Sequence, residues 1–341
     1  MNFKLWEKAL QTIPNVSKED WNDLDPISRW LISTRAAVLV MTIISATLAG
    51  LFAIRNGSFQ LLPWLALTFG LVMAHASNNL LNDLTDFIRG VDQKDYYRTL
   101  YGTQPLVDGL MTRGQSLTYF GISAVLALAS GLYLIWQNNN DSFIWVLIGL
   151  GAFFLLFYTW PIKYLALGEV SVFIVWGPLM IGGGYYVIAH QWDWNVVWAT
   201  LPYALGVTTV IFGKHIDKIA GDRERNIRTL PVLIGERAAR YLVIGMMVLP
   251  YFLLAGLVAT RYFTPFILIV VFALPRLRSV LPAFLKPKPS TRPDDFPEGQ
   301  GGWPLYFAPL TFLYNRTFGT FFIIGMIGEI LLRLFLPAFW I

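Results

Sequence analysis

Nine long apolar runs constrain this chain more than any other feature. They fall at roughly 30–54, 61–82, 117–136, 143–160, 170–189, 196–215, 240–259, 263–283 and 317–336. Most approach the ~20 residues a helix needs to cross a bilayer. Hydrocarbon offers no partner to a backbone amide, so a run of this kind satisfies its own hydrogen bonds as a helix. The expectation is an all-α integral membrane protein of about nine transmembrane helices in one bundle. Only 14% of the 341 residues are charged, and 16% are aromatic, including 13 Trp, which suits helices with interfacial aromatic belts. The absence of Cys excludes a disulfide framework, a thiolate nucleophile and a Cys-based zinc site.

The connections between runs alternate. Arg55 to Gln60, Gln137 to Asp141, His190 to Asn195 and Thr260 to Tyr262 are short. Asp83 to Ser116, Pro161 to Glu169, Lys214 to Ala239 and Leu285 to Arg316 are mostly longer and hold most of the charge. All but three of the 26 lysines and arginines (Arg55, Arg261 and Arg333) belong to the second side. A bias of that strength sets the N-terminus and the charged loops in the cytoplasm. Residues 1–28 lack the apolar core and cleavage site of a signal peptide and are read as a cytoplasmic or interfacial segment. Trp6, Leu10 and Ile13 would give it a weak interfacial face. Residues 29–341 form the membrane domain, and the Pro- and Gly-rich stretch from Pro282 to Pro309 reads as an irregular surface connection.

Two polar clusters sit where runs leave the membrane on the charged side. The first holds Asn78, Asn79, Asn82, Asp83, Asp86 and Asp92. On a helix Asn82 and Asp86 are four apart, and Asp83 and Asp86 three apart, so they share a face. Oxygen ligands gathered this way suit Mg²⁺ and, through it, a phosphate; the alternative is a solvated acidic loop. The second cluster runs from Lys214 and His215 through Asp217, Lys218 and Asp222 to Arg228 and Thr229. Acids at two helix ends on one face, each followed by basic residues, point to a diphosphate bridged by metal. No Gly-rich phosphate loop of the Walker type occurs, so a nucleotide site of that kind is excluded. A diphosphate beside a membrane cavity implies a lipid diphosphate whose leaving group the metal would ease.

These residues resemble the UbiA-type membrane aromatic prenyltransferases. Asn82-Asp83-Leu84-Thr85-Asp86 is similar to the family's N-D-x-x-D motif, and Gly90-Val91-Asp92 looks most like its 1,4-dihydroxy-2-naphthoate (menaquinone) branch. Gln104-Pro105-Leu106 through Gly109 resembles an R-P-L-x-x-G segment. Tyr158 through Lys163, with Gly168-Glu169, resembles a Y-x-x-P-x-K-x-x-x-x-G-E loop, and Arg228 through Gly235 the stretch after the second acidic motif. The resemblance covers about residues 29–341. It implies a central cytoplasm-facing cavity and Mg²⁺-dependent transfer of a polyprenyl group from an isoprenyl diphosphate to an aromatic acceptor. A prokaryotic plasma membrane fits, and no nucleic-acid partner is implied.

On the resemblance, Asn82, Asp86, Asp217 and Asp222 would hold two Mg²⁺, with Asp83 and Asp92 as ligands or orienters. Asn79, Arg98, Lys163, Lys214, Arg223 and Arg228 would serve the diphosphate, and Tyr158 would stabilise an allylic cation with its ring. Asp86, Asp222 and Tyr158 are the expected catalytic residues. The chain departs from the family in two places. Gln104 replaces a basic residue, and the usual D-x-x-x-D would begin at Lys218. Asp217 and Asp222 lie five apart, about 140° around a regular helix, and converge only where the helix ends, as Gly221 allows. His215 is expected to tune Asp217, and Glu169 to cap the fifth run. Other acceptors (4-hydroxybenzoate, homogentisate or a chlorophyllide) stay open. A cation transporter would instead place charges at the midplane of several runs. A CDP-alcohol phosphotransferase would need a D-G-x-x-A-R start, which is absent.

Overall fold

The computed structural model describes residues 2–94, 96–100, 102–294 and 303–335, without the side chain of Arg98. Every regular element among them is a helix. Eight helices are long and apolar enough to cross a membrane: Ala36–Arg55 (α1), Leu61–Ile88 (α2), Arg113–Gln137 (α3), Gly168–Ala189 (α5), Trp194–Asp217 (α6), Glu236–Ala259 (α7), Pro265–Leu285 (α8) and Phe307–Phe335 (α9). Ser142–Phe157 (α4) is apolar but has 16 residues, about 24 Å of helix. The nine expected runs are thus nine apolar helices, one of them short of a full span.

Local chemistry sets the starts. Thr112 and Gln115 close a capping box on α3. Asp141 accepts from Phe143 N–H ahead of α4, and Asp193 accepts from Asn195 N–H ahead of α6. Pro178 lies inside α5, where the backbone widens to a π-helix over Val175–Gly183.

The bundle is organised around α6, which packs on α5, α7 and α9. Close approach is made by small residues. A Cβ on Gly213 would lie 2.7 Å from Thr311 Oγ1, and one on Gly206 would lie 2.5 Å from Asn315 Oδ1. This explains why α9 begins ten residues before the expected run. Thr311 and Asn315 interrupt the hydropathy but face α6. The outward surfaces of α3 and α4 carry Leu117, Ile122, Val125, Trp145 and Leu150 exposed, as lipid contact requires.

The N-terminal segment has defined contacts with the rest of the chain. Phe3–Gln11 packs back on the bundle, with Trp6 Nε1 donating to Ser28 Oγ at 2.9 Å. Ile13 packs against Leu305 and Ala308. Of the three residues expected at the interface, Leu10 alone is exposed, and Trp6 and Ile13 are half-buried. The chain then crosses to the loop before α3, where Val16 N–H donates to Thr103 Oγ1 at 2.9 Å and Thr103 N–H to Pro14 O at 3.3 Å.

Candidate active site

The last three turns of α2 present two polar stripes. On one, Arg35 Nη2 donates to Asn79 Oδ1 at 3.0 Å and lies 3.4 Å from Asp83 Oδ1, while Asn79 Nδ2 donates to Thr34 O at 2.8 Å. On the other, Asn82 Nδ2 donates to Thr159 Oγ1 at 3.1 Å. Lys163 Nζ there reaches both oxygens of Asp86, at 3.0 and 2.8 Å. Thr159 and Lys163 belong to the turn after α4, so the Tyr158–Lys163 loop is folded directly onto the first motif. The i, i+4 relation pairs Asn79 with Asp83 and Asn82 with Asp86. Only the second pair, with Asn79, lines the cavity described below.

Beyond Ile88, Gly90 takes a left-handed φ of 69°, and the N–H groups of Val91 and Asp92 donate back to Asp86 O. Asp92 turns away from the cavity and accepts from Gln104 Nε2 at 3.1 Å. The Gln104 carbonyl oxygen accepts from the N–H groups of Leu106 and Val107. Gln104 is fully buried. The residue that departs from the family pattern is therefore the clamp of its own loop.

The second cluster divides Asp217 from Asp222. The helix breaks at Lys218, at φ −107° and ψ 2°, and restarts as Ile219–Glu224. Such a break is expected to bring both acids together, but it separates them. Asp217 Oδ2 accepts from the N–H groups of Tyr306 and Ala308 at 3.0 and 2.9 Å, and Oδ1 from Phe307 N–H at 3.1 Å. Lys288 Nζ approaches Oδ1 at 3.5 Å. Asp217 thus caps the first turn of α9 from another helix, and the expected metal role gives way to this one. Asp222 stays at the cavity. Its Oδ1 accepts from Tyr96 OH at 2.5 Å and lies 3.7 Å from Lys218 Nζ. Its Oδ2 is buried with no hydrogen-bond partner.

The cavity has a volume of about 1000 Å³, at the top of the usual range for small-molecule pockets, roughly 300–1,000 Å³. Asn82, Asp86, Lys163, Lys218 and Asp222 line its polar end, and Leu67, Leu134, Ile144 and Val187 its apolar end. Leu67 and Asp86 are about 28 Å apart along α2. Gln11, Thr12 and Ile13 also line the cavity. A Cβ on Gly102 would sit 2.4 Å from Ile13 Cγ2, so this N-terminal strap, residues 11–13, crosses that glycine in close contact.

Expected residues separate clearly. Asn79, Asn82, Asp86, Tyr158, Lys163, Lys214 and Asp222 line the cavity; Asp83, Asp92, Asp217, Arg223 and Arg228 do not. Arg223 and Arg228 are exposed. Arg98 has its side chain outside the described residues. His215 pairs with Glu169 at 2.6 Å rather than with Asp217, so Glu169 serves His215 and Leu230 N–H instead of capping α5. Arg35, Lys218 and Arg316 line the cavity without having been expected there. The position of Lys218 in the second motif and an arginine directly before the last apolar run were the available signals.

Electrostatics follow from burial. Burial, and next the Glu169 charge, hold the Tyr158 phenol well above its ordinary range, so it presents a neutral ring. Burial alone would discharge Lys163, but the Asp86 carboxylate outweighs it and keeps the ammonium charged. Burial and the Asp222 charge likewise keep Tyr96 protonated as a donor. Among the described residues no three His, Cys, Asp or Glu converge as a ready metal cage. Asp86 and Asp222 with the Asn82 amide line one end of the cavity. They have the chemistry for Mg²⁺, which takes one or two carboxylates and fills its shell with water and phosphate, once Asp86 is shared with Lys163. The orphaned Asp222 Oδ2 is the clearest sign of a missing partner.

A model of the UbiA prenyltransferase family matches residues 43–291. A UbiA prenyltransferase domain-containing protein 1 homolog of Drosophila melanogaster is 26% identical over 250 residues, 70% of this chain and 67% of that one. A 1,4-dihydroxy-2-naphthoate octaprenyltransferase of Escherichia coli (strain K12) is 29% identical over 218 residues, 62% of this chain and 70% of the relative. The zebrafish (Danio rerio) UbiA prenyltransferase domain-containing protein 1 is matched over 61% of its length. Among solved structures, a UbiA homolog from Aeropyrum pernix K1 shares the fold at TM-score 0.63 and 18% identity, over 84% of this chain and 97% of that one. One from Archaeoglobus fulgidus bound to GPP and Mg²⁺ does so at 0.60 and 15%, over 89% and 99%.

Proposed function

Because the chain belongs to the UbiA prenyltransferase family and is a membrane-embedded prenyltransferase, we propose that it transfers a polyprenyl group from an isoprenyl diphosphate to an aromatic acceptor, with Mg²⁺ at Asn82, Asp86 and Asp222. The carrying observation is the cavity itself. Its apolar length suits an isoprenoid tail, and its one polar end gathers Asp86 and Asp222 with Lys163, Lys214 and Lys218. The Mg²⁺- and GPP-bound homolog supports the donor and the metal. The octaprenyltransferase relatives support a 1,4-dihydroxy-2-naphthoate acceptor, and so a place in menaquinone synthesis. The positive-inside bias supports a cytoplasmic polar end.

Mg²⁺, when bound, supplies Lewis-acid neutralisation of the leaving diphosphate. The chain does the rest. Lys163 and Lys214 hold phosphate oxygens and fix the allylic carbon above the apolar tract. The allylic C–O bond breaks with its electron pair going to the diphosphate. Tyr158, kept neutral, faces the resulting cation with its ring. An acceptor ring carbon then bonds to the allylic carbon, and the ring loses a proton or its carboxyl group as carbon dioxide. The strap at Ile13 narrows the polar end and limits capture of the cation by water.

The test is incubation of the purified chain with Mg²⁺, labelled geranylgeranyl diphosphate and a panel of acceptors: 1,4-dihydroxy-2-naphthoate, 4-hydroxybenzoate and homogentisate. Prenylated naphthoate with release of diphosphate is expected. Turnover of a different ring would overturn the acceptor, and turnover of none the whole reading.

A further inference from the structure

We propose that Lys218 is a built-in cation of the diphosphate site, so that the site takes a single divalent ion rather than two. The inference rests on the diphosphate reading above and concerns how its charge is met. It starts from the division of the second cluster. Two carboxylates there would supply a second ion, but Asp217 has three backbone N–H groups and Lys288 on its oxygens and does not reach the cavity. Asp222 is left alone, and its Oδ1 is already engaged by Tyr96 and Lys218. Oδ2 is the one Asp222 oxygen left without a partner, and Asp86 on the facing cluster is itself held by Lys163 through both oxygens. The carboxylate oxygens on offer therefore suffice for one ion, not two.

Lys218 stands where the second carboxylate of such a pair would be. The helix break at this residue lets its side chain enter the cavity wall. It is 94% buried, at 6% exposure. Its ammonium lies 4.3 Å from the centre of the Tyr96 ring and 3.7 Å from Asp222. The tyrosine below and the aspartate beside it fix a compact point charge, the form in which lysine binds phosphate. A second divalent ion at Asp222 would sit against this charge in a desolvated wall, where like charges repel strongly. The lining points the same way: Asp86 and Asp222 are its carboxylates, and with Lys163 set against Asp86 and Arg35 against Asp83, Lys218 and Arg316 are left against Asp222 alone. An anion entering this site finds fixed positive charge without a second metal.

The experiment counts Mn²⁺ by electron paramagnetic resonance on the full chain in detergent with inorganic pyrophosphate. One tightly bound, magnetically isolated Mn²⁺ per chain is expected for the wild type. Lys218→Asp is expected to bind two, with dipolar broadening. Lys218→Met should keep one Mn²⁺ and lose pyrophosphate affinity by about tenfold or more, the scale of a charge-assisted contact. Two Mn²⁺ in the wild type, one in Lys218→Asp, or undiminished pyrophosphate affinity in Lys218→Met would each overturn the proposal. No Mn²⁺ at all in the wild type would instead overturn the metal reading on which it rests.

Discussion

Helix α1 ends on an arginine at one side of the bundle and follows an arginine at the other, and the two environments are opposites. Arg35 and Arg55 are about 30 Å apart along the helix. At Arg55 every charge is consumed. Glu329 Oε1 accepts from Arg55 Nε at 3.3 Å and Arg333 Nε at 2.6 Å, and Oε2 accepts from Thr264 N–H at 2.7 Å. Both arginines also donate to Tyr262 O, and the Arg55 guanidinium lies 4.3 Å from the Tyr262 ring centre. At Arg35 the polar groups border a cavity, and Asp222 Oδ2 and Arg35 Nε are buried without partners. Buried charge is costly at either end. The difference lies in the charges. At the Arg55 joint they are paired by the protein, and the atoms left without partners are the neutral Tyr262 and Thr264 hydroxyls, whereas at the Arg35 end charged atoms are left beside a cavity.

The strongest way to break this comparison is to remove a carboxylate at the open end. Asp86→Ala and Asp222→Ala should each lower prenyl transfer on the order of a thousandfold while retaining helicity and a cooperative melt in detergent, with Asp86→Ala melting lower because it strands Lys163. Either variant failing to fold would make the Arg35 end a structural joint like the other. Glu329→Ala is the reciprocal case. It strands Arg55 and Arg333 against the Tyr262 carbonyl and should cost about 3–5 kcal/mol of stability, read as a lower melting temperature. Turnover per folded molecule should be unchanged. A folded but inactive Glu329→Ala would erase the distinction.

Sequence and structure agree where information is local. The nine runs were legible because hydrophobicity along one helix is a local property, and Asn82 with Asp86 because helical spacing alone puts them on one stripe. Pairings across the bundle were not. Asp217 looks like a ligand until the start of α9, some 90 residues later, arrives to be capped. His215 stands two residues from Asp217 but meets Glu169, 46 residues earlier. Polar residues at Thr311 and Asn315 hid the beginning of α9 because hydropathy cannot distinguish a helix face packed on α6 from one in water. Lys218 was visible as a break in a motif, but only the fold shows its ammonium inside the cavity.

Asp217 and Asp222 sharpen the comparison within a single cluster. Asp217→Asn keeps the shape but offers one carbonyl oxygen where two carboxylate oxygens serve three N–H groups. The expected cost is that of weakening a helix cap, about 1–2 kcal/mol, visible as a lower melting temperature. Activity of the folded fraction and its Mg²⁺ titration should match the wild type. A shifted Mg²⁺ titration would return Asp217 to the metal site.

The smallest effect concerns the strap that closes the polar end. Its anchor is Asp25, which accepts from Ser28 N–H at 3.0 Å, Ser28 Oγ at 2.8 Å and Asn2 N–H at 3.2 Å, while Trp6 Nε1 donates to the same serine. The backbone bond from Ser28 is the main cause holding this carboxyl down to about 2, and burial opposes it. A depressed acid contributes stability that is fully present above the ordinary carboxylate range and is lost as pH falls through the folded value. The anchor should therefore persist through mild acid and release only as pH approaches about 2. Trp6 fluorescence reports it, because the indole N–H loses Ser28 when the carboxyl protonates. Asp25→Ala, which removes the cap acceptor, should show the released signal at neutral pH and no acid transition. A Trp6 transition in the ordinary carboxylate range would mean that the strap is held from elsewhere, by Ile13 on Gly102 and by Thr103, and that closure of the polar end is built into the bundle rather than into the N-terminal segment.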